Sequence, residues 1–203
     1  RIKQAVLRGA ALVVIDPRSI EMVNYAAVHL QLWPGTNVPL FNALAKVLIE
    51  ENLYDKAYVA SRCEGFEEFK SFQAAQSLEE LSSLTRVPVE LIRKAAHIMA
   101  KRGPGVFTSG LGLSEQTQGV GSVMAFSNLG LLTGAIGKHG SGMLPLRGQN
   151  NVQGNADMGS QPYSLTGYMK LGDAAVRARL ETIWGKAPPV EAGKTIPEMF
   201  NSA

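Results

Sequence analysis

The chain has 203 residues, of which 45% are hydrophobic, 18% charged and 7% aromatic, with a formal net charge of +3. That length carries one domain with a real core or two small lobes. The small charge, the absence of a Lys/Arg block and the few aromatics give nucleic-acid binding no support.

One cysteine, Cys63, excludes an internal disulfide and any iron–sulfur or zinc site built from cysteines of this chain. The scattered His29, His97 and His139 argue against a metal held by these side chains alone, and structural or loop roles are expected for them. No apolar run reaches the ~20 residues of a membrane span, and no signal peptide is visible.

In chain order, Ile2, Ala5 and Val6 give residues 1–8 the apolar face of a helix end, with Gly9 as its stop. The chain opens on Arg1, inside that helical pattern, so it reads as an internal piece of a longer polypeptide. A cytoplasmic location is expected; a periplasmic one stays open because upstream signals are not seen. Residues 10–15 form a Val/Ile-rich run, as a buried parallel strand should, ending at Asp16-Pro17-Arg18. Ser19 is expected to cap a short helix that turns Met22 and Val23 inward. Residues 28–32 alternate Val28, Leu30 and Leu32 with His29 and Gln31, a second strand, followed by the polar turn Trp33-Pro34-Gly35-Thr36-Asn37. Helix, strand, helix, strand in close succession predicts an α/β fold with a doubly wound, mostly parallel sheet flanked by helices. Ligands of such sheets sit beyond the C-terminal ends of the strands.

Asn37 opens a helix to about Asn52 with the stripe Leu40, Ala43, Leu44, Val47 and Leu48. Short helices follow over 55–60 and 64–72, with Tyr58, Phe66 and Phe69 packed between them, and over 78–84, with Glu79 and Glu80 in the first turn. Pro88 and Glu90 start a helix to about Arg102 that buries Leu91, Ile92, Ala95, Ala96 and Met99, and Gly103-Pro104-Gly105 breaks it. A strand over 106–108, a turn over 109–116 and a small-residue helix over 119–133 come next. Residues 134–172 read as irregular and rich in Gly, Asn and Pro, a length of loop that is functional when it occurs inside a compact domain. Helices are expected over 173–184 and from Ile196. The domain organisation read from this is an α/β dinucleotide-type region over 1–133 and a loop with a returning helical segment over 134–203.

Four stretches carry chemistry. Residues 144–160 hold Arg147, the amides Gln149, Asn150, Asn151 and Gln153, the carboxylate Asp157, and glycines at 148, 154 and 159. Many donors among glycines suit a polar, partly anionic ligand with many acceptors. The plainer alternative is a surface loop in which Arg147 pairs with Asp157. In Asp16-Pro17-Arg18, Asp pairs with guanine donors and Arg forks onto phosphate, or else the turn is a capping turn with a surface ion pair. In Pro34-Gly35-Thr36-Asn37, the Asn37 amide offers its carbonyl to a ligand donor, caps a helix, or does both. In Gly110-Leu111-Gly112-Leu113-Ser114-Glu115 the third glycine of the dinucleotide fingerprint is missing, so NAD binding is not read from it.

The segment Leu146-Arg147-Gly148-Gln149-Asn150-Asn151-Val152-Gln153-Gly154, followed by Asp157-Met158-Gly159, resembles one in the catalytic (alpha) subunits of molybdenum- or tungsten-dependent formate dehydrogenases, which are bis-molybdopterin guanine dinucleotide oxidoreductases. The resemblance extends over about residues 1–202 and implies an enzyme that oxidises formate to CO2 and passes the electrons through a metal–pterin centre. It implies that Arg147 orients formate as a catalytic residue and that Gly148 and Gln149 lie at the pterin. It further implies that the turn with Asp16, Pro17 and Arg18 contacts the guanosine part of one cofactor, that Gly35, Thr36 and Asn37 hold a guanine base, and that the backbone of Gly110, Leu111, Gly112 and Ser114 contacts the cofactor. Two departures stand out: Asn37 where the family usually has Asp, which weakens the grip on guanine, and Leu111 and Glu115 where it commonly has Met and Gln. Glu115, a carboxylate near pyrophosphate, is not expected to bind. The implied cofactors are molybdopterin guanine dinucleotide with Mo or W and, upstream of this chain, a 4Fe-4S cluster. The implied partners are formate, the rest of the catalytic subunit and an iron–sulfur electron-transfer subunit. Residues 1–203 alone are expected to be inactive. A different substrate within the same cofactor family, or a free-standing nucleotide-binding domain, are the alternatives.

Overall fold

The structure, a computed structural model, describes residues 1–101 and 105–203. The predicted helix end at Arg102 and its breaker Gly103-Pro104 lie outside the described residues. The chain divides into two compact units, Arg1–Leu146 and Arg147–Ala203.

The first unit opens with α1 (Ile2–Leu7), which stops where Gly9 takes φ +96°. Strand β1 (Val13–Ile15) is followed by a 3-10 turn (Glu21–Tyr25) and by β2 (Val28–Leu30). The two strands pair in parallel, Val14 opposite His29 and Ile15 opposite Leu30. Ser19 does not cap the intervening turn: the N-cap is Ile20, without a side-chain cap bond, and the turn is 3-10 rather than α-helical. Met22 and Val23 are only half-buried there.

Helix α2 (Asn37–Glu50) is the centre of this unit, packed against α4 (Phe66–Ala74), α5 (Leu78–Thr85), α6 (Val89–Lys101) and α8 (Gly119–Leu132). With neighbours on every side, α2 buries more than its predicted stripe: Phe41, Ala45, Lys46 and Ile49 are inside as well. Lys46 satisfies its charge by donating to Glu50 and, at 3.1 Å, to the Gln73 carbonyl, as a buried ammonium must. Asn52, at φ +55°, lies just past the helix end in the left-handed region that Asn tolerates. Between α2 and α4, α3 (Lys56–Arg62) is capped by Asp55.

Strand β3 (Val106–Ser109) precedes a one-turn α7 (Leu111–Ser114), which occupies part of the predicted 109–116 turn, and then α8. Strand β4 (Gly142–Pro145) returns to pair with β3 in parallel, Phe107 opposite Met143. Phe126 of α8 touches Phe41 and Phe107, with centroids 5.5 and 5.9 Å away, and so ties both helices to β3. The architecture is thus α/β, with small parallel sheets flanked by helices.

Residues 134–172 are not structureless. They contain β4, α9 (Val152–Asp157) and a 3-10 turn (Thr166–Tyr168). Gly142-Met143-Leu144-Pro145 has no side-chain alternation to announce a strand; it is one because its backbone completes β3. In the second unit, Asp173 caps α10 (Ala174–Trp184) by accepting from the N–H groups of Ala175 and Val176, and Gly185 ends it at φ +71°. Arg177 donates twice to the Pro188 carbonyl, at 3.1 Å each, and α11 (Ile196–Phe200) carries a Thr195/Glu198 capping box. No helix among the described residues is long and apolar enough to cross a membrane.

Candidate functional site

The turn after β1 is pinned from both sides. Arg18 donates its backbone N–H (2.8 Å) and its Nε (3.2 Å) to Asp16 Oδ1, while β2 and the residue after it hold the backbone: His29 Nε2 lies 2.9 Å from the Asp16 carbonyl and Gln31 Nε2 donates to that of Pro17 at 3.0 Å. Burial pushes the Asp16 carboxyl up, but the hydrogen bonds and charge of Arg18 outweigh it and hold the group below the usual carboxylate range. The surface ion pair read from the sequence is therefore present, with most of Arg18 exposed.

The turn after β2 hangs on Trp33. Its N–H donates to the Thr85 carbonyl (2.8 Å), and its carbonyl accepts from both the N–H (3.2 Å) and the Oγ1 (2.6 Å) of Thr36. Arg86 stacks on its ring, guanidinium carbon 3.7 Å from the centroid. Gly35 has φ +86°, which favours glycine. The N-cap of α2 is Thr36, without a side-chain cap bond, so Asn37 is the first helical residue rather than the cap. Asn37 Nδ2 is buried and has no hydrogen-bond partner among the described residues, a state that costs about 1–3 kcal/mol if nothing meets it.

The turn after β3 contains Gly110, Leu111, Gly112 and Ser114, with α7 at its centre. Among the described residues, open space lies where a Cβ on Gly110 or Gly112 would project, so packing against them requires glycine at neither. Gly119 is different: a Cβ there would collide with the Ser114 carbonyl, so glycine lets α8 begin directly against the turn. The Leu146 N–H donates to the Ser109 carbonyl at 2.7 Å and holds the end of β4 beside the start of this turn. Gly121 of α8 faces Val38 of α2, 3.7 Å from an added Cβ. The turns that precede α2 and α8 therefore share one end of that helix pair, where helix dipoles favour anions. Glu115 is exposed.

In the second unit, Arg147, Gly148 and Gln149 are all exposed. The Arg147–Asp157 pair is not formed among the described residues, where Arg147 has no ion pair, and the Asp157 carboxylate beside Tyr168 raises that phenol above the usual range. Asn151 takes φ +51° at the start of α9, its side chain resting where a Cβ of Gly154 would be. Gly159, at φ +88°, lets the loop press on the backbone of Leu165 and Thr166.

Sequence reasoning missed Arg86, Thr85 and Gly119. The Gly/Ser/Ala content of α8 hinted at the last; nothing local announces the first two, which meet Trp33 only through the fold. The described residues hold no group of three or more His, Cys, Asp or Glu suited to a metal ion. Burial pushes the Cys63 thiol up, consistent with a packing role.

The family model for molybdopterin oxidoreductases matches residues 1–196. The chain is 42% identical over 196 residues to formate dehydrogenase H of Escherichia coli, covering 96% of this chain and 27% of that protein. It is 40% identical over 203 residues to the F420-dependent formate dehydrogenase subunit alpha of Methanocaldococcus jannaschii, covering 100% of this chain and 30% of that protein. The assimilatory nitrate reductase catalytic subunit of Bacillus subtilis is 37% identical over 177 residues, 87% of this chain and 25% of that protein. Among solved structures, acetylene hydratase from Pelobacter acetylenicus superposes with a TM-score of 0.66 at 31% identity, covering 68% of this chain and 19% of that one. The chain thus spans under a third of the length of these curated relatives. A parallel α/β unit with its turns gathered at strand ends, and a family match over nearly every residue, lead to one conclusion: the chain belongs to the molybdopterin oxidoreductase family.

Proposed function

We propose that the chain is the dinucleotide-binding part of a formate dehydrogenase catalytic subunit that uses molybdopterin guanine dinucleotide with molybdenum or tungsten. The observation that carries the reading is Arg147: an exposed guanidinium with no ion pair among the described residues, beside Gly148 and Gln149. Formate dehydrogenases are among the most similar relatives.

The residues fit such a group. Asn37 Nδ2, buried and unpartnered among the described residues, is a donor for the carbonyl of a guanine base, and Gly35 and Thr36 shape the turn that presents it. Gly110 and Gly112, which packing does not require, leave backbone open to a bound pterin or phosphate, with Leu111 and Ser114 completing that turn. Asp16, Pro17 and Arg18 meet the second guanosine, where the exposed Arg18 exchanges its pair with Asp16 for phosphate. Residues 1–133 supply these turns, and residues 134–203 supply Arg147 and Gln149.

When bound, the metal–pterin group accepts the two electrons released as formate becomes CO2 and a proton. Arg147 binds the formate carboxylate through its planar fork and fixes the direction of the C–H bond. Gln149 donates to the pterin. An iron–sulfur cluster and a partner subunit outside this chain would carry the electrons onward.

The test is Arg147→Lys in the full-length enzyme. Loss of the fork raises the KM for formate by roughly ten-fold or more with pterin content unchanged; unchanged formate kinetics would remove Arg147 from the mechanism. The nitrate reductase relative favours a second reading, another small oxyanion at the same arginine. Formate-dependent dye reduction supports the first reading, and nitrate-dependent oxidation of a reduced dye the second.

A further inference from the structure

Trp33 is the hub of the 33–37 turn, and three groups fix it. Its N–H is held by Thr85, its carbonyl holds both the N–H and the hydroxyl of Thr36, and its ring is covered by Arg86. Thr85 is itself immobilised: it is fully buried, and its Oγ1 donates to the Leu81 carbonyl at 2.8 Å and accepts from the Val87 N–H at 3.3 Å. Any shift of Trp33 passes through Thr36 to the next residue, Asn37.

Arg86 is an odd choice for its place. It ends α5 at φ +59°, ψ 21°, the left-handed region where glycine or asparagine ends helices at least cost. It forms no ion pair among the described residues, and its side chain is exposed. Among the described residues, the polar or ring contact that sets it apart from glycine is the stack on Trp33. A strained residue kept for a single contact beside a candidate ligand turn points to that contact.

We propose that Arg86 is a positioning residue for the dinucleotide end of the cofactor site: stacked on Trp33, it fixes the 33–37 turn so that the Asn37 amide meets the base. The inference rests on the reading of that turn as a dinucleotide contact. Arg86 touches no cofactor atom in this scheme; it acts through Trp33.

The test uses the full-length protein purified with its cofactor, as wild type, Arg86→Gly, Arg86→Asn and Arg86→Lys. Two quantities are read: the thermal midpoint, and the rate of cofactor loss, followed as released pterin by fluorescence after oxidation and as GMP after acid hydrolysis. Glycine and asparagine suit the left-handed backbone, so neither lowers the midpoint beyond the small shift that looser cofactor brings. Both lose cofactor roughly 2- to 5-fold faster, the range set by an exposed cation–π contact, and lysine restores part of the retention. Retention at the wild-type rate in both variants overturns the role of Arg86. A midpoint lowered in both by more than the small shift that looser cofactor brings also overturns it, since the arginine is then a structural cap. Wild type that carries no GMP-yielding pterin overturns the reading of the turn itself, and the inference with it.

Discussion

Asp55 joins three parts of the chain through one carboxylate. It accepts from the Tyr58 N–H at 3.0 Å, capping α3, and from Lys138 Nζ at 2.9 Å, while Gly134 leaves it room: a Cβ there would lie 2.6 Å from Oδ2. The Lys138 hydrogen bond, then that of Tyr58, holds the carboxyl below its ordinary value. A depressed carboxylate pKa adds stability above the unfolded value of about 3.9, and that stability is lost as pH falls through the folded value. Asp55→Asn keeps a good cap but loses the charge, so it costs roughly 0.2–1 kcal/mol at neutral pH for this partly exposed pair. The gap between variant and wild type in urea denaturation closes below about pH 4; a gap that persists into acid would disprove the ion-pair account. At this scale only neighbours in sequence were legible. Asp16 and Arg18, two residues apart, form the surface ion pair that the sequence offered as the plainer alternative for that turn. Lys138 with Asp55, and Arg86 with Trp33, meet through the fold and leave no local trace.

At the scale of elements, hydrophobic period located helices well and strands less well. The stripe on α2 was visible, but its burial on nearly all sides depends on four packed helices that no single window reveals. Strand β4 was invisible because its identity comes from pairing with β3. The composition of α8 announced close approach without saying where. Geometry separates two of its glycines: Gly119 abuts the Ser114 carbonyl, whereas Gly121 meets Val38 at an ordinary 3.7 Å. Gly119→Ala displaces the 110–114 turn, lowers stability by about 1–3 kcal/mol and reduces bound pterin. Gly121→Ala, exposed in a helix, gains up to about 1 kcal/mol and leaves pterin content unchanged. Thermal midpoints and pterin content of the two variants in the full-length protein check this; equal behaviour would refute the distinction.

For the whole molecule, the alternation of helices and strands was enough to give the α/β class and the parallel pairing. Less was legible over residues 134–172, where Gly, Asn and Pro mask β4 and α9, and where the family motif rather than periodicity carried the reading. The two parallel pairs also bear on how the chain acquires its shape. Each is closed by a crossover, residues 16–27 for β1–β2 and residues 110–141 for β3–β4. Chain-closure entropy grows only with the logarithm of loop length, so the longer crossover costs under about 1 kcal/mol more. What separates the pairs is what closure buries: Val28 and Leu30 are in the core, whereas β4 ends exposed at Leu144 and Pro145. In native-state hydrogen exchange the amides of Val28–Leu30 therefore open only near global unfolding, and those of Met143 and Leu144 open earlier by local fraying. The reverse order of protection would mean that β3–β4, and not β1–β2, is the pair around which the chain first condenses.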